Sequence, residues 1–364
     1  MTEFGRFFLP GPTEVRPEVL AAMTRPMIGH RGAAFTPLLR DPDPVLRALF
    51  GTTRPVYVSS SSATGMMEGS VRNGVRSRAL CLVNGAFSAR YRDLVLGCGR
   101  LAETYEVPMG RAHEPAEVER RLRAGGFDAV TVVHSETSTG VLNPLPEIAE
   151  AVRAAEAATG GEILVLADGV TSVAGMVIEA EAWGIDFFLT GSQKAMALPP
   201  GLAFGTASAR MMARAVEMEG RGQYFDLPEF DRYHARWQTP NTPALSLLYA
   251  LHEQARRIGE EGVEARAHRH AAMTVRTHAW VLDEGPRRGL SLFAPEGRRS
   301  PTVTTIAVAD GRAPALVKGM EARGWTIGGG YGPLKDDTIR IGHMGEHTVE
   351  GLDALLADLQ EVLG

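Results

Sequence analysis

The chain has 364 residues, 44% apolar, 22% charged and 7% aromatic, with a formal net charge of -5. That length suits two domains with ordinary buried cores, and the absence of a cationic stripe argues against nucleic acid as a partner. No apolar run is long enough to span a bilayer, and Cys81 and Cys98 make neither a disulfide scaffold nor a zinc cluster.

The opening segment Phe7-Phe8-Leu9-Pro10-Gly11-Pro12 is too rich in proline to start a helix, so it is expected to cross another surface. Short, nearly continuous apolar runs follow at 56–58, 79–83, 129–133, 163–167, 187–189 and 202–204. Such runs read as strands buried on both faces of a mostly parallel sheet, with helices between them. One of those helices is 147–158, closed by Gly160-Gly161. Cys81, inside the second run, reads as a small buried hydrophobe.

After Pro243 the texture changes. A helix is expected over 244–258, stopped by Gly259, and a second over 263–282. Its stretch 264–276 carries Arg266, His268, Arg269, His270 and Arg276, which reads as a solvated face. A basic loop is expected over 286–301, then strands at 303–308 and 338–341. The last helix places Val349, Leu352, Leu355, Leu356, Leu359 and Leu363 on one face, with Thr348 as its cap. The change of texture puts a domain boundary near residue 255, giving an extension at 1–14, a large domain at 15–255 and a small C-terminal domain at 256–364.

Polar residues gather where the strands end. Ser59 to Gly65 follows the first strand and precedes a helix start. It can bind an anion at a helix N-terminus or serve as an ordinary serine-rich cap. Phe87, in Asn84-Gly85-Ala86-Phe87, can stack on a ring or belong to the core. Ser135 to Gly140 can line a site or simply form a turn. Asp168 ends the fourth apolar run and Lys194 follows the fifth, in Gly191-Ser192-Gln193-Lys194. A lysine at the mouth of a buried strand is costly unless it has a partner or a covalent task. Two strands ending in a lysine and an acid suggest one crevice at the carboxyl edge of a parallel sheet. Pyridoxal 5'-phosphate needs that pair: a lysine for its aldehyde and a carboxylate for its ring nitrogen.

These motifs resemble the class V aminotransferases of fold type I, and within them the alanine/serine–glyoxylate group. The resemblance runs nearly end to end. It covers Leu9-Pro10-Gly11-Pro12-Thr13, His30-Arg31, Ser62-Ala63-Thr64, Asn84 to Phe87 and His134 to Gly140. It continues through Asp168-Gly169-Val170, Gly191 to Ala195, Asn241-Thr242-Pro243 and Ile339 to Gly345.

The resemblance implies a large domain with a mostly parallel seven-stranded sheet between helices, a smaller α/β domain, and a homodimer with shared active sites; the two cysteines and the lack of a long apolar run lead one to expect a reducing cytoplasm. It implies that Lys194 forms the internal imine and shuttles the proton, and that Asp168 keeps the pyridinium protonated. Phe87 and Val170 would flank the ring, and Thr137 would lie near its hydroxyl. Ser62, Ala63, Thr64 and Gln193 would bind phosphate, and Asn241 and Thr242 would reach the neighbouring subunit's phosphate. Arg340 would receive the substrate carboxylate. Relatives usually carry glycine in the phosphate loop where this chain has Ala63. The implied reaction is ping-pong transfer of an amino group from alanine, serine or aspartate to glyoxylate or pyruvate. A 2-aminoethylphosphonate transaminase, for which His30 and Arg31 would line the entrance, a cysteine desulfurase-like lyase and a non-catalytic protein of the same fold are the competing readings.

Overall fold

The computed structural model describes residues 4–364. Its largest feature is a seven-stranded sheet. In spatial order the strands are Val56–Ser59, Ala203–Ala207, Phe187–Gly191, Leu164–Asp168, Ala129–Val133, Arg78–Val83 and Leu101–Glu106. Only Ala203–Ala207 runs antiparallel to its neighbours. Six strands therefore end at one edge of the sheet, where the polar motifs follow.

The side chains explain why the sheet is buried on both faces. Leu80, Leu82, Val130, Val132, Val165 and Phe188 pack into one apolar core, and Ala79, Cys81, Leu164, Leu166, Phe187 and Leu189 into another. Period-two alternation sends neighbours to opposite cores, and because both sides are apolar the strands read as unbroken runs. The edge strand Leu101–Glu106 is different. Its Leu101, Glu103 and Glu106 are polar or exposed, so it lacks that signature.

A second sheet has five strands in the order Phe7–Phe8, Thr326–Gly329, Thr338–Gly342, Val303–Val308 and Leu290–Leu292. It packs with the helices Val263–Arg288, Ala313–Ala322 and Val349–Leu363 around a third core. Thr348 caps the last helix, its hydroxyl accepting from the Gly351 N–H at 3.2 Å, and Leu352, Leu355, Leu356 and Leu359 are buried. Each such leucine contributes roughly 1.5–3 kcal/mol on leaving water. The opening segment crosses both regions: Phe7–Phe8 pairs in parallel with Thr326–Ile327, and Leu9 to Pro12 runs on over Gly342 and Lys194.

Three expectations are corrected. The helix expected to stop at Gly259 runs from Leu245 to Glu261, and Gly262, at φ 87°, ends it. The basic loop at 286–301 is partly regular, because the second helix continues through Pro286 to Arg288 and the strand Leu290–Leu292 follows. The face carrying Arg266 and His270 is not solvated. Arg266 is 1% exposed and His270 fully buried; Glu346, Glu261 and the Ala195 carbonyl engage the Arg266 Nη atoms, and the Gly175 and Gly345 carbonyls lie against the His270 ring nitrogens. Among the described residues no helix is long and apolar enough to cross a membrane, and no cluster of His, Cys, Asp and Glu has the makings of a metal site.

Candidate active site

The carboxyl edge of the large sheet opens into a cleft of ≈ 190 Å³. Ser62, Ala63, Thr64, Phe87, Thr137, Asp168, Val170, Gln193 and Lys194 all line it. Residues from five strand ends thus meet in one place.

Each is positioned by local structure. Ser62 has an extended backbone and starts the helix Ala63–Gly74 without a side-chain cap. Among the described residues, no protein group accepts from the Ala63 or Thr64 N–H. Those donors and the positive end of the helix dipole face the cleft as an anion cup. The Ala63 methyl lies beside Gly191, where an added Cβ would stand 3.2 Å from it. A Cβ on Gly65 would come within 2.5 Å of the Phe225 ring, so glycine is required there for the helix to pack.

Phe87 is held by a residue whose role sequence reasoning missed. The buried Glu136 carboxylate accepts from the Ser88 N–H at 2.9 Å, the Phe87 N–H at 3.3 Å and the Ser138 hydroxyl at 2.6 Å. A carboxylate at the start of the helix Ala86–Gly97 offsets its dipole and fixes the turn that presents Phe87. Glu136 stands in a polar stretch after a strand, but the Phe87 and Ser88 N–H groups it holds are 49 and 48 positions upstream, which left no local signal. Ser135, from the polar stretch after the third run, also lines the cleft, as do Met67, Arg90, Val133 and Thr171, for which the sequence offers no site signal.

Lys194 is 7% exposed, and its Nζ donates to the Pro10 carbonyl. The Thr13 hydroxyl donates to the Lys194 carbonyl at 2.8 Å, and the Thr13 N–H to the Gln193 carbonyl at 2.9 Å. The opening segment is therefore one wall of the lysine's surroundings. A Cβ on Gly11, at φ +115°, would stand 2.5–2.6 Å from the lysine chain. Burial lowers the Lys194 pKa to about 8, with the Arg340 charge adding to the fall and Asp168 and Glu136 opposing it. Burial raises the Asp168 pKa to about 7, against the Val170 N–H that its carboxylate accepts at 2.7 Å. Among the described residues Asp168 forms no ion pair.

Arg340 does not line the cleft but borders it. Its Nε donates to the Gly329 carbonyl at 2.8 Å and its Nη1 to the Thr137 carbonyl at 3.2 Å, which hold the guanidinium plane beside Thr137. It too forms no ion pair among the described residues. Asn241 and Thr242 are not brought to Lys194 within the chain. They line a separate small hollow with Ser59, Ser60 and Tyr224, behind the serine loop. Arg31 likewise stays out of the cleft, spending its guanidinium on the carbonyls of Thr239 at 2.6 Å and Pro240 at 3.1 Å.

Comparison with known proteins identifies the family. The model of the class V aminotransferases (Aminotransferase class-V) matches residues 102–344. The chain belongs to the class V aminotransferases. It is 36% identical over 344 residues to an uncharacterised aminotransferase of Methanocaldococcus jannaschii, covering 93% of this chain and 87% of that one. It is 32% identical over 360 residues to the L-aspartate–glyoxylate aminotransferase of Paracoccus denitrificans, covering 96% and 88%. The crystal structure of an alanine–glyoxylate aminotransferase from Nostoc sp. superposes with a TM-score of 0.90 at 30% identity, covering 99% and 95%. The fold is accordingly that of the fold type I transferases.

The class V assignment implies pyridoxal 5'-phosphate, and the residues present fit it. The cleft offers a buried amine with a lowered pKa, a buried carboxyl without a cation partner and a helix start with unspent N–H groups. Those are complements for an aldehyde, a protonated ring nitrogen and a phosphate.

Proposed function

We propose that this aminotransferase uses pyridoxal 5'-phosphate held by Lys194. In this reading it moves an amino group from a small amino acid (alanine, serine or aspartate) to glyoxylate or pyruvate in alternating, ping-pong half-reactions. The observation that carries the reading is the meeting of Lys194 and Asp168 in one cleft, both buried and neither in an ion pair. When bound, the cofactor supplies an electron sink for the substrate's α-carbon.

The chain's own residues do the rest. Lys194 Nζ binds the aldehyde and moves the proton at the α-carbon, and a pKa near 8 leaves part of it neutral at pH 7 to 8. Asp168 holds a proton on the ring nitrogen, an arrangement that relieves the cost of its own burial. Phe87 and Val170 would flank the ring, and Thr137 would lie near its hydroxyl. Ser62, Ala63, Thr64 and Gln193 hold the phosphate. Arg340, its plane fixed by two carbonyls, receives the α-carboxylate. Asn241 and Thr242 serve the phosphate of a second copy in a homodimer, a reading supported by their lining a separate hollow and not the Lys194 cleft. We assign the extension to 1–14, the cofactor domain to 15–255 and the small domain to 256–364.

The competing chemistries lose support. Neither cysteine lines the cleft, and burial pushes the Cys81 thiol up to about 11, so no nucleophilic thiol is available for desulfuration. Arg31 is spent on backbone carbonyls and offers nothing to a phosphonate. The test is a panel of alanine, serine, aspartate and 2-aminoethylphosphonate against glyoxylate and pyruvate, with the cofactor-loaded protein. Transfer from a small amino acid to glyoxylate is expected. A loaded protein that transfers from no amino acid would reject the reading. Mixed dimers of Lys194→Ala with an Asn241/Thr242 double variant should regain part of the activity.

A further inference from the structure

A second pocket, of ≈ 180 Å³, shares no lining residue with the cleft. It lies where Arg16, the end of the helix Leu245–Glu261, the start of the helix Val263–Arg288 and the turn at Glu346 converge. Four guanidinium groups, Arg16, Arg257, Arg266 and Arg269, line it against two carboxylates, Glu261 and Glu346.

Both carboxylates are already engaged. Glu346 accepts from Arg16 at 2.6 Å, Arg266 at 2.9 Å and Gln254 at 2.9 Å. Glu261 accepts from Arg269 at 2.7 Å and Arg266 at 2.8 Å. Arg257 comes no nearer to a carboxylate than 3.9 Å, beyond hydrogen-bond reach. The Nε atoms of Arg257 and Arg266 are buried without a partner. Two positive charges among the lining residues are thus left over. Thr348, at the rim, caps the 15-residue helix Val349–Leu363, whose positive dipole end adds to the field.

We propose that this pocket is a binding site for a small dianion carrying a phosphoryl group, such as inorganic phosphate, with Arg257 as its principal ligand. An anion there balances the surplus charge, and guanidinium forks match tetrahedral oxygens. The site is wired to the cleft. Arg266 also donates to the carbonyl of Ala195, the residue after Lys194, at 2.8 Å. Occupancy therefore bears on the turn that carries the lysine.

The experiment titrates inorganic phosphate into the cofactor-loaded protein by calorimetry at fixed ionic strength, with chloride as the control. The loaded cofactor occupies the phosphate cup of the cleft, so binding reports the second pocket. One saturable site per chain is expected, weakened at least about tenfold in Arg257→Gln and in Arg16→Gln but unchanged in Arg340→Lys. Phosphate should also raise the melting temperature of the wild type and of Arg340→Lys, but not that of Arg257→Gln. Arg257 makes no close side-chain bond to another element, so its variant folds, as its own melting curve without phosphate verifies. Phosphate binding no stronger than chloride, unchanged affinity in Arg257→Gln, or loss of binding in Arg340→Lys alone would overturn the proposal.

Discussion

Two carboxylates in this protein are drawn out of water, Asp168 more deeply than Glu346, and they meet opposite fates. Glu346 sits among arginines, and their charges and hydrogen bonds overcome its desolvation and hold its pKa at about 2. Asp168 sits in the cleft with one N–H donor and no ion pair, and burial carries its pKa up to about 7. Desolvation pushes both upward, and the partners decide the sign. Where the fold supplies compensating charge, a buried acid is a strut between elements. Where it withholds that charge, the site is poised for something that will bring its own. Lys194 repeats the pattern: it is a buried amine whose side-chain donor reaches a carbonyl and no acid.

The strongest way to test that contrast is to remove the amine. Lys194→Ala should lower turnover at least about 10⁴-fold, the upper range for a lost proton-transfer group. It should also abolish the bound cofactor's absorbance band, while the urea midpoint of the apoprotein holds or rises. Turnover near wild type would remove the cleft from the chemistry altogether.

Asp168→Asn should act in two directions. The rate of the loaded enzyme should fall about 10³-fold, read by stopped-flow absorbance with a saturating amino acid. The cofactor-free protein should be stabilised, and the sign follows from the raised pKa. Below the ordinary carboxyl range both states hold the proton and nothing is lost. As pH rises towards 7 the unfolded chain releases its proton first, so the wild type loses stability, and above 7 the penalty stays constant. Asparagine avoids that loss, a gain of roughly 2–3 kcal/mol at pH 8 over pH 5. Equal denaturation curves for the two apoproteins at pH 8 would mean that Asp168 is compensated after all.

Glu346→Gln should do the opposite and destabilise the fold by roughly 3 kcal/mol at pH 7, because Arg266 is left buried with one partner fewer. Here the folded pKa is depressed. The wild type keeps this contribution above the ordinary glutamate range and loses it as pH falls towards 2, so the gap to the variant should close in acid. Urea unfolding at pH 7 and pH 3 checks both parts.

The smallest effect is expected from Arg340→Lys, about 2 kcal/mol in kcat/KM for every amino and keto acid, with cofactor absorbance unchanged. A lysine keeps the charge but not the two-pronged donor. If cofactor affinity fell and KM held, Arg340 would be structural.

How much of this was legible follows from the residues themselves. Six of the seven large-sheet strands could be read because each is apolar on both faces. The seventh, Leu101–Glu106, could not, since one side of an edge strand meets water and its glutamates mask it. Phe87, Asp168 and Lys194 were legible because each follows a readable strand. Arg266 and His270 were misread because a cationic helix face looks solvated until its counter-charge is known. For Arg266 that charge, Glu346, comes from another segment entirely.

The sequence by itself determined the α/β alternation, the polar strand ends, the Lys194–Asp168 pair and the family, because these rest on local periodicity and contiguous motifs. The tertiary structure alone decided that Pro10 and Thr13 cover the lysine, that Glu136 sets Phe87, and that Arg340 stands beside Thr137 on one carbonyl from the second sheet and one from a turn. It also decided which buried charges are paired. Desolvation and Coulomb interaction depend on distance through space, and separation along the chain carries no information about that distance.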